Sequence, residues 1–350
     1  MTRSAILALT TAGIKLAKEL RDNWDPEVPI FVSEDQVEEG LLLFPTGKFK
    51  TGIQALFKEY DALICIMATG IVVRSIAEVL EDKRNDPAII VIDEKGRHTI
   101  SLLSGHIGGA NQLTLEIAAK LNSCPVITTA TDVQNVTALD LLSKELNAWY
   151  ADFKETTKRI NRLLAEHQKV GLIQREEWVK DLRGLNVLQE NDSFDPYDAV
   201  LLISNKNEKL NTNKVIQIVP RRYVLGIGAK KGIDFSIIKE EYLNFCQSVD
   251  IHHRGIQKIT SIDLKKTEKG IKQLADWLEV PFETYSSAEL ATVSEKYPQS
   301  AFVREVTGVG SVSLAAADLA SNGQVVTERY ANKGVTFALG KDEDGTCCML

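Results

Sequence analysis

"ALICIMATGIVVRSIAEVL", residues 62–80, decides the fold class. Ala62–Met67 is an unbroken apolar run of the length of a buried strand. Beyond Ala68-Thr69-Gly70, apolar residues fall at 72, 73, 76, 79 and 80, the spacing of one face of a helix. A buried strand, a small-residue turn and an amphipathic helix make up the unit of a layered α/β sheet.

The same grammar extends in both directions. Ala5–Thr10 reads as a strand running into a helix. "PAIIVID" (87–93) and "HTISLL" (98–103) are strands joined by the short "EKGR", which predicts an antiparallel hairpin with Gly96 in its turn. Residues 110–121 form a helix with an apolar face at 113, 117 and 121, and "CPVITTA" (124–130) is the next strand. Residues 141–220 change character: a charged helical stretch precedes short strands such as "KVGLIQ" and "DAVLLISN". From Arg221, "RYVLGIGAKKG" is a strand and glycine turn and "IDFSIIKEEYLNFCQ" a helix. "IQKITSIDLKK" and "PFETYS" are strands, "SAFVREVTGVGSVSLAAADLA" is strand, turn and helix, and "GVTFALG" closes the sheet. The expected fold is α/β, two layered α/β domains joined by a smaller middle module. Its parts are an N-terminal domain over 1–140, a middle module over 141–220, a C-terminal domain over 221–340 and a flexible tail over 341–350.

The bulk properties are those of a water-soluble globular protein: 350 residues, 44% hydrophobic and 25% charged. No apolar run approaches the roughly 18–20 residues of a membrane span, and no signal peptide is evident, so a cytoplasmic location is expected. A net charge of −7 argues against nucleic acid as a partner. The basic clusters Lys83-Arg84, Arg221-Arg222, Lys230-Lys231 and His252-His253-Arg254 read mostly as solvated surface. Cys65, Cys124, Cys246, Cys347 and Cys348 form no CxxC pair, so neither a zinc site nor a disulfide framework is signalled. Cys65 and Cys124 lie in apolar runs and read as core residues. The terminal "CCML" loosely fits a prenylation box without an upstream basic stretch, and a frayed acidic end is the simpler expectation.

Five small-residue turns stand out: "MATGIVVR", "LLSGHIGGAN", "ITTATD", "LGIGAKKG" and "VTGVGSVS". In open α/β sheets, ligands bind beyond the carboxyl ends of strands, where helix N-termini favour anions. The turns therefore mark Thr69, Gly70, Gly105, Gly108, Gly109, Asn111, Thr128, Thr129, Gly226, Gly228, Thr307, Gly308 and Gly310 as candidate contacts to an oxygen-rich, anionic ligand. His106 is the sharpest residue, because a histidine between glycine turns projects toward whatever the helix N-terminus binds. Its imidazole, with an ordinary pKa of about 6.5, is suited to take a proton from water. Surrounding N–H groups are placed to stabilise an oxyanion. Ser104 is expected as its hydrogen-bonding partner, or as a nucleophile, although no G-x-S-x-G elbow encloses it. Asp132 is expected to orient the histidine, hold a substrate hydroxyl or only cap a turn. "TGVGSVS" with Glu328 loosely imitates a dinucleotide fingerprint, but Ser313 stands where glycine or alanine belongs.

"MATGIVVRSIA", "DPAIIVIDEKGRHTISLLSGHIGGANQLT" and "PVITTATD", together with "LGIGAKKG" and "VTGVGSVSLAAA", resemble the CbiG family of the oxygen-independent route to cobalamin. The C-terminal part also resembles a small stand-alone protein of the aerobic route. The resemblance implies a hydrolase acting on cobalt-precorrin-5A. Water opens the δ-lactone on ring A, and the former meso carbon leaves with its methyl group as acetaldehyde, giving cobalt-precorrin-5B. It implies no cofactor beyond the cobalt that the substrate carries. Arg74, Lys230 and Lys231 then become candidate partners of the macrocycle's carboxylates. The macrocycle is the one partner implied. Self-association and transient contact with neighbouring pathway enzymes stay open, and so does a rival role as a non-catalytic tetrapyrrole carrier.

Overall fold

The computed structural model describes residues 3–82, 85–189, 191–210 and 212–342. Lys83-Arg84 and most of the expected tail, with Cys347 and Cys348, lie outside the described residues. The chain divides into two compact units, Met1–Leu141 and Leu142–Leu350. No helix among the described residues is long and apolar enough to cross a membrane.

The first unit holds a seven-stranded sheet of β1 (Ser4–Ala8), β2 (Ile30–Val32), β3 (Leu42–Leu43), β4 (Ala62–Ile66), β5 (Ala88–Ile92), β6 (His98–Leu103) and β7 (Cys124–Val126). Their order is β3-β2-β1-β4-β5-β6-β7. The interleaved helices are α1 (Thr11–Trp24), α2 (Phe49–Glu59), α3 (Thr69–Ile76), α4 (Ala110–Leu121), α5 (Ala130–Val133) and α6 (Leu139–Glu145). Strands β1 to β5 run parallel. β1, β4 and β5 are buried throughout, as parallel strands covered on both faces must be. Their side chains alternate: Ile6, Ile64 and Ile90 pack with α1 and α4, while Leu7, Leu63 and Val91 pack with α2 and α3. Each such buried aliphatic side chain contributes about 1.5–3 kcal/mol.

β6 pairs antiparallel with β5, with Leu103 opposite Ile89 and Thr99 opposite Ile92, and Gly96 takes a φ of +63° in the connecting turn. β7 then runs parallel to β6. The carboxyl ends of β6 and β7 therefore reach the edge where β4 and β5 begin. The candidates that follow β4 and those that follow β6 thus stand on different rims of the sheet. Thr69, Gly70 and Arg74 follow the end of β4 and lie on the opposite edge from His106, across roughly 16 Å of strand. Cys124 opens the edge strand β7 and is exposed, not core, whereas Cys65 is buried.

The second unit carries two five-stranded sheets. One has the order β10-β9-β11-β12-β8, from β8 (Ala148–Trp149), β9 (Val170–Gln174), β10 (Leu185–Val187), β11 (Ala199–Ile203) and β12 (Val215–Pro220), with α7 (Phe153–Ala165) following β8. The other has the order β15-β14-β13-β17-β16, from β13 (Tyr223–Ala229), β14 (Ile256–Ile262), β15 (Phe282–Tyr285), β16 (Tyr330–Asn332) and β17 (Val335–Lys341). Its helices are α8 (Phe235–Ser248), α9 (Lys269–Leu278), α10 (Ser287–Ser294), α11 (Ala301–Thr307) and α12 (Ser313–Ala320).

Three expectations are corrected here. Residues 301–307 are a helix, not a strand, started by the Ser300 hydroxyl, which accepts from Val303 N–H at 3.3 Å. Gly226 and Gly228 lie inside β13 rather than in the turn after it. A Cβ at Gly226 would stand 2.0 Å from the Ser313 carbonyl oxygen, and one at Gly228 2.5 Å from Thr336 Oγ1. Close packing therefore requires these glycines. Finally, His252-His253-Arg254 is not solvated surface. Trp149, His252, His253 and Trp277 form a continuous stack with ring centroids 5.5, 4.5 and 5.5 Å apart. The Arg254 guanidinium lies 5.3 Å from the Trp149 ring centroid and 5.0 Å from that of Trp277.

Candidate active site

The loop from Ser104 to Gly109 joins β6 to α4, and its tight path explains its glycines. Ser104 has a left-handed φ of +59°, and Gly109 enters the helix at +84°. A Cβ at Gly108 would lie 2.3 Å from that of Ser104, and one at Gly105 2.7 Å from Asn111 Oδ1. The loop amides are also occupied. Gly109 N–H bonds His106 O, Ala110 N–H bonds Ser104 O, and Asn111 N–H bonds Gly105 O, at 3.0–3.1 Å. These three amides are therefore not the oxyanion donors that the sequence led us to expect. Ser104 does not reach His106, because its hydroxyl donates to the Asp86 carbonyl at 2.9 Å.

His106 instead lies between two carboxylates. Nε2 is 3.1 Å from Asp132 Oδ2 on α5, and Nδ1 is 3.3 Å from Asp140 Oδ1 on α6. Thr131 Oγ1 is a further neighbour of Nε2 at 3.0 Å. The side chains grade from interior to solvent: Asp140 is 4% exposed, His106 12% and Asp132 35%. Burial opposes the imidazolium, but hydrogen bonds and charge from Asp140, then from Asp132, outweigh it and hold the pKa above the ordinary histidine value. Among the described residues no cluster of three or more His, Cys, Asp or Glu is arranged to hold a metal. Asp132 and Asp140 occupy opposite nitrogens of one ring.

Asn111 ties the cluster to the sheet. It is buried, accepts from the Ser101 hydroxyl at 2.7 Å, and donates to Thr129 Oγ1 at 3.1 Å and to Asp132 Oδ2 at 2.9 Å. The structure thus brings together His106, Asp132, Asn111 and Thr129 from the expected set. Thr128 is exposed just before them.

The other candidates stand apart from this cluster. Arg74 is exposed on the far edge and donates to Gly70 O at 3.0 Å. In the second unit, Lys230 and Lys231 are exposed beyond the end of β13. Thr307 ends α11, with Oγ1 within 2.8 Å of Val303 O, and Gly308 caps that helix at φ +81°. A Cβ at Gly310 would meet Gln299 at 1.9 Å. "TGVGSVS" therefore joins two helices, and the strand–turn–helix context of a dinucleotide site is missing. A cleft of about 690 Å³ in this unit, lined by Asn205, Lys206, Tyr223, Tyr330 and Lys341 among others, includes Glu328 but none of the residues marked as contacts to an anionic ligand.

Two residues of the cluster escaped the sequence. Asp140 is not singled out there at all, and Thr131 is only one threonine of "TTATD". Neither carries a local signal, because both meet His106 only through the tertiary fold.

Three family models match: cobalamin synthesis G N-terminal over residues 51–132, the cobalamin biosynthesis central region over 137–220, and cobalamin synthesis G C-terminus over 223–340. A cobalt-precorrin-5A hydrolase of Salmonella typhimurium is 40% identical over 96% of this chain and 97% of its own. A cobalt-precorrin-5A hydrolase of Priestia megaterium is 29% identical over 96% and 94%. Among solved structures, a cobalamin biosynthesis protein G homologue from Sulfolobus solfataricus is 20% identical over 97% of each chain, with a TM-score of 0.42. CobE, from the cobalamin biosynthetic pathway, is 24% identical over 35% of this chain and 92% of its own, with a TM-score of 0.32. With three family models spanning most of residues 51–340 and a relative 40% identical over 96% of this chain, the chain belongs to the CbiG family of cobalamin biosynthesis.

Proposed function

We propose that this chain is a cytoplasmic hydrolase that opens the δ-lactone of cobalt-precorrin-5A and releases acetaldehyde. The observation that carries the site assignment is Asp132 beside His106: a half-exposed carboxylate 3.1 Å from an imidazole whose environment favours the proton-bearing form. That pair is an acceptor and a donor side by side, which is what adding water across an acyl–oxygen bond requires. Asp132 takes a proton from the attacking water. His106 acts as the donor rather than as the base expected from sequence, passing its Nε2 proton to the departing lactone oxygen. Asp132 then returns its proton to Nε2, so the site ends as it began. In the second stage the freed carbinol gives its O–H proton to Asp132, which passes it to solvent, as acetaldehyde forms, and the electron pair of the broken carbon–carbon bond passes into the cobalt-bearing ring. Val133, next to Asp132 and 65% exposed, offers an apolar contact to the flat face of such a ring.

The test is incubation of the purified protein with cobalt-precorrin-5A, trapping acetaldehyde and weighing the corrinoid product. Wild type should release one acetaldehyde per macrocycle, and His106→Gln should slow release by at least about a hundredfold. A macrocycle that binds and leaves unchanged would make the protein a carrier and overturn the proposal. Full activity in His106→Gln would remove the imidazole from the chemistry.

A further inference from the structure

His106 has a second partner that the acid–base reading does not use. Asp140 lies behind the ring, nearly sealed from solvent, with Oδ1 3.3 Å from Nδ1, while Asp132 and Thr131 occupy the Nε2 side. We propose that Asp140 is the positioning residue of this site: it accepts Nδ1–H of His106 permanently, so that the exchangeable proton is always the one on Nε2. This inference rests on the proposed role of His106 as proton donor.

The physical case has two parts. A neutral ring that kept its proton on Nε2, or a ring turned about its Cβ–Cγ bond, would take the gained and lost proton away from the one nitrogen that faces solvent, and a carboxylate on Nδ1 disfavours both alternatives. A second negative charge also sustains the imidazolium inside a site that otherwise disfavours it. The charged groups that act on the ring are Asp140 from α6 and Asp132 from α5. Asn111, from α4, meets Asp132 as a neutral donor. Asp132 is open to solvent and in the proposed cycle trades protons with water and with Nε2, so it cannot fix the ring. Asp140, at 4% exposure, touches no substrate and can.

Asp140→Asn in the full chain tests this with two readouts that a merely structural role would not move. Activity that depends on a proton-bearing His106 declines as pH rises through its pKa. Loss of the Asp140 charge should shift this alkaline limb down by about one unit or more, a roughly tenfold loss at a fixed pH above it. Nitrogen-15 NMR of the neutral ring should report Nδ1–H in wild type and Nε2–H in Asp140→Asn, because the amide can donate to Nδ1. An unchanged alkaline limb and tautomer in the variant would overturn the inference. So would an Nε2–H neutral tautomer in wild type, a measurement that stands even if the variant fails to fold. Full activity in His106→Gln would instead sink the proposed acid role, while the tautomer measurement would still decide what Asp140 does.

Discussion

Asn111 and Asp132 are joined side chain to side chain, Nδ2 to Oδ2 at 2.9 Å, so the first turn of α4 holds the carboxylate that faces solvent. The same amide group spans Ser101 on β6 and Thr129 before α5. Asn111→Ala should lower unfolding free energy by about 1–3 kcal/mol, because it strands buried partners. Asn111→Asp should cost more, since it sets a second carboxylate against Asp132. Both should impair acetaldehyde release. Chemical denaturation and the activity assay check this, and a neutral Asn111→Ala would mean that Asp132 is held by other means.

His106 also links stability to pH. Its pKa is raised by folding, so the pairing stabilises the protein fully below the unfolded value near 6.5 and the stabilisation fades as pH rises through the folded value. In His106→Gln this decline on the alkaline side should vanish. Unfolding curves across pH 6 to 9 would reveal it, and parallel curves for variant and wild type would refute the linkage.

His252 and His253 predict the reverse. Burial first, then neighbouring charges including Arg254, pushes both pKa values down to about 4. The unfolded chain takes up protons below about 6.5 while the folded stack refuses them until about 4, so stability should fall as pH drops through that window. His253→Phe, which keeps a ring between His252 and Trp277, should flatten the fall. An equally acid-labile variant would assign the loss to other groups.

Gly226→Ala separates packing from ligand contact. The added methyl would collide with the backbone of α12, at Ser313 O, so the variant should lose stability at or above the usual 1–3 kcal/mol of an overpacked core. A stable variant with weakened substrate binding would restore Gly226 to the ligand site.

Sequence patterning carried the layered α/β architecture because β1, β4 and β5 are buried on both faces and so read as continuous apolar runs. It also carried the antiparallel turn at Gly96, and it offered the pairing of His106 with Asp132 as one of three readings of that acid while naming Ser104 as the histidine's partner. It failed where a local pattern has two physical causes. Gly226 and Gly228 look like a ligand turn, yet Gly226 makes room for the backbone of α12 and Gly228 for the Thr336 side chain on β17. Phe302, Val303 and Val306 look like a strand, but a serine cap and i,i+4 spacing make them helical. Asp140 was invisible because nothing near it in the chain betrays the imidazole it meets. The candidates after β4 and those after β6 part for a topological reason: one hairpin sends His106 to the other rim of the sheet.

That hairpin makes the Gly96 connection a length gauge for chemistry far from it. Sliding β6 by two residues against β5 would preserve which side chains face inward, yet it would carry the loop after Leu103 about 7 Å along the sheet. With β7, α5 and α6 left in place, the imidazole would then miss both of its acids, so the number of residues between Asp93 and His98 sets where His106 stands.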